Sequence, residues 1–248
     1  MQTTATLLVT GGSAGIGAAT ARMGAARGYP RVVITYNSDR AGADRVAADI
    51  RNAGSEVLVM QVDVSLPEDV TRLFAALNDL PPAPLHLVNN AGIVSPRGSI
   101  EDLTPERVRK VFDVNVLGAF EVARQAVIHM RTHQGGHIVN VSSAAARLGS
   151  PNQYIDYAAT KGAIETLTTG MALELGPEGI RVNALRPGII TTEIHAKGGE
   201  PDRVQQLGHT PPLRRPGTAE EVAEGLLWLL SDAASYVTGA FLDVTGGR

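Results

Sequence analysis

Short apolar runs alternate with longer stretches of helical period from one end of this chain to the other. The runs predict strands at Thr6–Thr10, Arg31–Tyr36, Glu56–Val62, Leu85–Asn89, His137–Ser142, Arg181–Arg186 and Ala240–Val244. Several are almost unbroken Val, Ile and Leu, as in strands buried on both faces. The stretches between them predict helices at Ile16–Arg27, Ala41–Ala53, Glu68–Leu77, Pro105–Arg131, Tyr154–Gly176 and Ala219–Ser231. Thr218 with Glu221 reads as a capping box, and Thr104 precedes Pro105 at a first helical position. This rhythm implies an α/β fold: a doubly wound, seven-stranded parallel sheet with helices on both faces and right-handed crossovers. Ligands on such sheets bind beyond the carboxyl ends of the strands, near the point where the strand order reverses.

One segment breaks the rhythm. Residues 188–217 hold four prolines, several glycines and two histidines, His195 and His209. A stretch this long after a strand end reads as a lid or substrate wall more readily than as a plain connector.

Composition narrows the partners. The length of 248 residues suits one large α/β domain spanning 1–248. A net charge of −3 offers no basic field for nucleic acid. The absence of cysteine excludes disulfides, thiol nucleophiles and thiolate metal sites, and fits a reducing compartment. The first residues lead straight into a strand with no secretory leader, and no apolar run reaches the ~18 residues of a membrane span. A cytoplasmic protein with no membrane partner and no metal is expected.

Two places carry candidate chemistry. Thr10-Gly11-Gly12-Ser13-Ala14-Gly15-Ile16-Gly17 follows the first strand and opens the first helix. Glycines there let the backbone turn sharply and approach a pyrophosphate, while the helix start offers free N–H groups. The spacing is Gly-x-x-x-Gly-x-Gly, which differs from the Gly-x-Gly-x-x-Gly fingerprint. At the end of the second strand, Tyr36 and Asn37 are neutral where an acid would bind ribose hydroxyls. Ser38 can donate to a phosphate and Arg40 can bring charge to it, which favours NADP; Asp39, if turned inward, would favour NAD. The second place is Tyr157-Ala158-Ala159-Thr160-Lys161. Residues four apart share a helix face, so the phenol and the ammonium can meet. A phenol titrates near ~10, and a nearby cation draws it toward the working range of an acid–base catalyst.

In this order and spacing, Thr10-Gly11-x-x-x-Gly15-Ile16-Gly17, Asn89-Asn90-Ala91-Gly92, Asn115, Ser143, Tyr157-x-x-x-Lys161 and Pro187-Gly188 make the chain resemble the short-chain dehydrogenase/reductase family over essentially its whole length. The bacterial members it is similar to are described as 3-oxoacyl-carrier-protein reductase-like or glucose 1-dehydrogenase-like. The resemblance implies a single Rossmann-fold domain and hydride transfer between NADP(H), or NAD(H), and a carbonyl or alcohol substrate. Tyr157 would be the general acid or base. Lys161 would hold the nicotinamide ribose and lower the Tyr157 pKa. Ser143 would hydrogen-bond the substrate oxygen, and Asn115 would bind a relay water. Cofactor contacts would come from Gly11, Ser13, Gly15, Ile16, Gly17, Asn37, Ser38 and Arg40. Asp63 and Val64 would meet the adenine. Asn90, Ala91 and Gly92 would line the cofactor beside the fourth strand, and Pro187, Gly188, Ile190 and Thr192 would sit at the nicotinamide end. A homotetramer is the family expectation.

One spacing departs from the family. Ser143 lies fourteen residues before Tyr157, where thirteen is usual. An extra residue in Gln153-Tyr154-Ile155-Asp156 would absorb the offset, and Ser142 competes for the role because adjacent strand residues face opposite sides. Among other histidines, His129 and His133 lie four apart near a helix end. Met130 stands where a metalloprotease needs Glu, so a solvated, cationic helix end is the expectation. Trp228, among leucines, reads as core or subunit interface. A nucleotide-sensing regulator without chemistry is a remote alternative, since Tyr, Lys and Ser are all kept. An NAD-preferring sugar or alcohol dehydrogenase is a nearer one.

Overall fold

The computed structural model describes residues 3–248, apart from the side chains of residues 195 and 197; the sequence reading of His195 lies outside that description. Seven strands form one parallel sheet: β1 (Thr6–Val9), β2 (Arg31–Tyr36), β3 (Glu56–Gln61), β4 (Leu85–Asn89), β5 (Gly136–Val141), β6 (Arg181–Pro187) and β7 (Phe241–Val244). Their order across the sheet is β3-β2-β1-β4-β5-β6-β7, so the direction of winding reverses between β1 and β4.

The unbroken apolar runs are explained by burial on both sides. Leu7 and Val9 face one layer and Leu8 the other, and all three are fully buried. The first layer contains α1 (Gly15–Ala26), α2 (Arg40–Asn52) and α10 (Ala219–Leu230), with Val32, Ile34, Val139 and Leu226 in its core. The second contains α3 (Pro67–Asn78), α5 (Ala119–Thr132) and α7 (Ile155–Leu175), with Val33, Leu87, Ile138 and Val182 between them and the sheet. The capping box forms as expected: Glu221 N–H donates to Thr218 Oγ1 and Thr218 N–H donates to the Glu221 carboxylate. None of the described helices is long and apolar enough to cross a membrane.

Three stretches differ from the sequence reading. The helix expected over Pro105–Arg131 is interrupted. α4 (Pro105–Phe112) runs into a wide π-helical turn at Asp113–Gly118 before α5 begins. The turn brings backbone against backbone: a Cβ on Gly118 would lie 2.8 Å from the Val64 carbonyl oxygen. A four-residue helix, α6 (Ala145–Leu148), follows β5. The 188–217 segment contains two short helices, α8 (Ile194–Lys197) and α9 (Arg203–Leu207). Its base is pinned where Thr191 N–H donates to Gly217 and Gly217 N–H donates to Ile189, each at 2.9 Å.

Candidate active site

Two adjoining cavities open at the carboxyl ends of the strands, one on each side of the β1–β4 reversal. The first, about 270 Å³, is lined by the β1–α1 turn, residues 35–39 after β2, residues 62–64 after β3 and residues 90–93 after β4. The second, about 380 Å³, is lined by Ser142 and Ser143, Tyr154, Tyr157, Lys161, Pro187 to Ile190 and, further along the chain, Thr192, Ile194 and Arg203. Ile16, Asn90, Gly92, Thr192 and Ile194 line both, so the two are continuous.

The first cavity has the features of a dinucleotide cradle. Gly11 and Gly15 have φ of +65° and +52°, which glycine adopts without strain. A Cβ on Gly17 would come within 2.3 Å of the Gly11 carbonyl oxygen, so the helix start and the strand end touch only because that side chain is missing. Asn90 fastens the turn: its Nδ2 donates to Thr10 O at 2.8 Å, and its N–H donates to Thr10 Oγ1. α1 starts at Ala14 without a side-chain cap and without an acid in its first turn. Its leading N–H groups are therefore open to an anion, the donor set a pyrophosphate requires. Gly11, Ser13, Gly15, Ile16, Asn37, Ser38, Asp63, Val64, Ala91 and Thr192 all line this cavity, and Gly17 lies just behind it.

Arg40 stands apart from it. Its guanidinium is exposed and pairs with Asp44 at 3.1 Å. Asp39 does line the cavity, and its Oδ1 accepts from Gly42 N–H at 2.9 Å as the cap of α2. The lining residues include Asp39, Asp63 and Glu193 but no Lys or Arg.

The second cavity brings the expected chemistry together. Tyr157 and Lys161 lie on the inward face of α7, with Lys161 Nζ 5.5 Å from the centre of the Tyr157 ring. The Ser143 side chain lies beside the Tyr157 hydroxyl, close enough to draw its pKa down, and its Oγ accepts from Ala145 N–H at 3.1 Å. Ser142 points the other way; its Oγ donates to the Glu165 carboxylate at 2.8 Å beneath the floor. The pleat at the end of β5 thus separates the two serines and puts Ser143 beside Tyr157. Between Ser143 and Tyr157 lie α6 and the loop 149–154, where Gly149, Ser150 and Asn152 all take positive φ.

Asn115 sits in the π-helical turn under both cavities. Its Oδ1 accepts from Ile93 N–H at 2.8 Å, and its Nδ2 donates to Ile93 O at 2.9 Å and Thr160 Oγ1 at 3.2 Å. Asn115 and Lys161 converge on Gly92: a Cβ there would meet Asn115 Oδ1 at 3.2 Å and Lys161 Nζ at 3.7 Å. The widened turn is what carries Asn115 to this place, a common use of π-bulges.

The electrostatics differ from the sequence expectation. Burial pushes the Tyr157 hydroxyl up to about 12, with the Ser143 hydrogen bond acting in the lowering direction. Burial also pushes Lys161 down to about 8. The ammonium does not reach the phenol oxygen, because Nζ donates to the Val141 carbonyl at 2.7 Å. His129 is likewise corrected. It is buried and bonded to Asn78, and burial pushes it down to about 4, so it is neutral and not a solvated cation. Trp228 is 41% exposed and therefore outside the core.

Three supporting residues escaped the sequence reading. Asp156, fully buried, accepts from Arg107 Nε and Nη2 and from Tyr157 N–H, which anchors the start of α7 to α4. Glu165 holds Ser142 and Arg186. Gln153 contacts the lid through Arg203. Only Glu165 had a signal, its spacing of four from Lys161 on one helix face.

Residues 11–248 match the family model described as enoyl-(acyl carrier protein) reductase. The chain is 50% identical to the uncharacterised oxidoreductase YgfF of Escherichia coli K12, with 97% of this chain and 98% of that protein covered. It belongs to the short-chain dehydrogenase/reductase family. Members of this family use NAD(P)(H), and the chain is an NAD(P)-dependent oxidoreductase acting on CH–OH groups. Among solved short-chain dehydrogenase/reductase structures, levodione reductase superposes with a TM-score of 0.91 at 31% identity, covering 99% of this chain and 98% of that one. The 3-ketoacyl-(acyl-carrier-protein) reductase of Brucella melitensis, solved with NADH, gives a TM-score of 0.89 at 34% identity with the same coverage.

Proposed function

We propose that the protein interconverts a ketone or aldehyde with its alcohol, with NADP(H) as the preferred carrier and Tyr157 as the proton-transferring residue. The observation that carries this reading is the convergence of Tyr157, Ser143 and Lys161 in the second cavity, which is continuous with the first. Gly11 to Gly17, Asn37, Ser38, Asp63, Val64 and Asn90 to Gly92 would hold the dinucleotide, which would supply or accept the hydride. Tyr157 gives its hydroxyl proton to the carbonyl oxygen in reduction and takes it back in oxidation. Ser143 donates a hydrogen bond to the same oxygen and holds it at the phenol. Lys161 would hold the ribose hydroxyls of a bound dinucleotide and, as a cation near the phenol, would lower its pKa from the raised value of the buried group. Asn115 keeps the Ile93 backbone in place and carries a relay water. Pro187, Gly188, Ile190 and Thr192 shape the nicotinamide end, and residues 188–217 cover the substrate.

NADP(H) is favoured because the Asp39 carboxylate is committed to the α2 cap while Asn37 and Ser38 face the cleft. The exposed Arg40–Asp44 pair is weak because solvent screens it, so Arg40 is free to swing to a 2′-phosphate. A second reading, NAD(H), is favoured by the acidic lining of the same cleft. Steady-state turnover of a ketone and aldehyde panel with each reduced nucleotide tests both readings. Higher kcat/KM with NADPH supports the first, and higher kcat/KM with NADH replaces it with the second. No turnover with either nucleotide would favour a nucleotide sensor. Exposed Leu117, Phe120 and Ile128 around α5, Leu173 on α7, and Trp228 and Tyr236 near the C-terminal strand support a homotetramer. Light scattering at micromolar concentration checks it, and a monomer would contradict it.

A further inference from the structure

The charged residues lining the substrate cavity are Lys161, Arg203 and Arg248; no described Asp or Glu joins them. Arg203 opens α9 in the lid and is only 8% exposed. Its guanidinium lies over the Tyr154 ring at 4.8 Å. Nη1 donates to Glu200, whose carboxylate also accepts from the Tyr154 hydroxyl. Nη2 donates to the Gln153 amide oxygen. Nε is buried and has no partner.

The same edge of guanidinium is used differently elsewhere in this chain. Arg107, Arg124, Arg131 and Arg186 each grip one carboxylate side-on through Nε and Nη2, at 2.6–3.2 Å. This two-point geometry is the preferred one for arginine and carboxylate. At Arg203 that edge is half filled, by a neutral amide that a carboxylate would outcompete. An unpartnered buried N–H is unfavourable until an acceptor reaches it. Glu200 holds the opposite edge, so it positions the guanidinium without occupying this fork.

We propose, building on the carbonyl–alcohol reading above, that the substrate carries a carboxylate, and that the Nε–Nη2 edge of Arg203 receives it as Gln153 gives way. Tyr154, the N-cap residue of α7, stands three residues before Tyr157 and lines the same cavity. The carboxylate therefore stands only a few carbon atoms from the carbonyl that Tyr157 protonates. Short oxo-acids and the matching hydroxy-acids are the substrate class.

The test uses the enzyme with its dinucleotide, acetoacetate and levulinate as probes, and their methyl esters as uncharged references. The wild type is expected to favour acid over ester in kcat/KM. Arg203→Met is expected to raise KM for the acids about tenfold to a hundredfold, since a hydrogen bond to a charged group is worth about 1.5–3 kcal/mol. Its KM for the esters should stay within about twofold, and Arg203→Lys should recover part of the loss for the acids. Calorimetric binding of levulinate, lost in Arg203→Met, is the readout independent of turnover. Equal losses for acid and ester in Arg203→Met would show that Arg203 only anchors the lid, and would overturn the proposal. A wild type that reduces the esters but neither favours nor binds the acids would also overturn it, while leaving the carbonyl–alcohol reading intact. If no carbonyl compound is turned over, that reading fails, and levulinate binding alone decides this one.

Discussion

Glu165 gives the most quantitative test of how the site is held. Tyr157, Lys161 and Glu165 follow one another at intervals of four along α7. The Glu165 carboxylate accepts from Arg186 Nε at 2.6 Å and Nη2 at 2.7 Å, and from Ser142 Oγ at 2.8 Å. Both charged side chains are mostly buried, at 16% and 13% exposure. Removing one partner of a fully buried pair costs about 3–5 kcal/mol. Here Arg186 would retain Asp243 at 3.6 Å and the Phe241 ring at 4.6 Å, and some solvent. The expected loss for Glu165→Gln is accordingly about 2 kcal/mol. The amide keeps an acceptor for Ser142, so this variant isolates the charge. Glu165→Leu removes the acceptor too and should lose about 1 kcal/mol more. Urea unfolding of Glu165→Gln, Arg186→Met and the double variant yields the coupling, expected at about 1.5 kcal/mol or more. Because Ser142 precedes Ser143, kcat should fall with little change in dinucleotide KM. A Glu165→Gln protein within about 0.5 kcal/mol of wild type, with no coupling, would refute this reasoning and make the pair a screened surface contact.

Gly17→Ala should place a methyl 2.3 Å from the Gly11 carbonyl oxygen and 2.7 Å from Asn90 Nδ2. Overpacking of this kind costs about 1–3 kcal/mol, and if the turn absorbs it, dinucleotide affinity measured by titration falls about fivefold to a hundredfold; unchanged affinity would contradict the cradle. His86 provides a pH test. Burial pushes it down to about 3, helped by the adjacent His137 and Arg181, with the Tyr29 hydroxyl on its Nδ1. An unfolded histidine titrates near ~6.5, so stability is full above that pH. As pH falls from there toward 3, the unfolded chain takes up a proton that the folded state refuses, and up to about 1.4 kcal/mol is lost per pH unit from this group. Urea midpoints should drop through that window and drop less steeply in His86→Phe; a flat profile would contradict the assignment.

Much of the architecture was legible because the strands are buried on both faces. Runs such as Arg31–Tyr36 and Leu85–Asn89 have no other stable placement, and their boundaries match the sequence reading. The break between α4 and α5 was not legible. Asp113–Gly118 holds several poor helix formers but nothing that specifies a widened turn; in the fold Gly118 passes close against Val64 and Asn115 holds Ile93. The two short helices of residues 188–217 were hidden by prolines and glycines, which mark turns without showing the helices between them. Tyr157 and Lys161 could be paired from spacing alone, but the state of their protons could not. That depends on burial and on the Val141 carbonyl, which competes for the ammonium. Likewise, Arg40 reads as a phosphate ligand in sequence, and its exposed pairing with Asp44 one helical turn later was not foreseen there.

The central claim is that the Tyr157 phenol moves the proton. The pH dependence of kcat/KM in wild type and Tyr157→Phe tests it most directly. Loss of a positioned acid removes about a hundredfold to ten-thousandfold in rate. The account predicts a loss of that size in Tyr157→Phe, with an ionisation seen in wild type on the alkaline side absent from the residual rate. Activity within tenfold of wild type, or the same alkaline ionisation persisting in the variant, would contradict it.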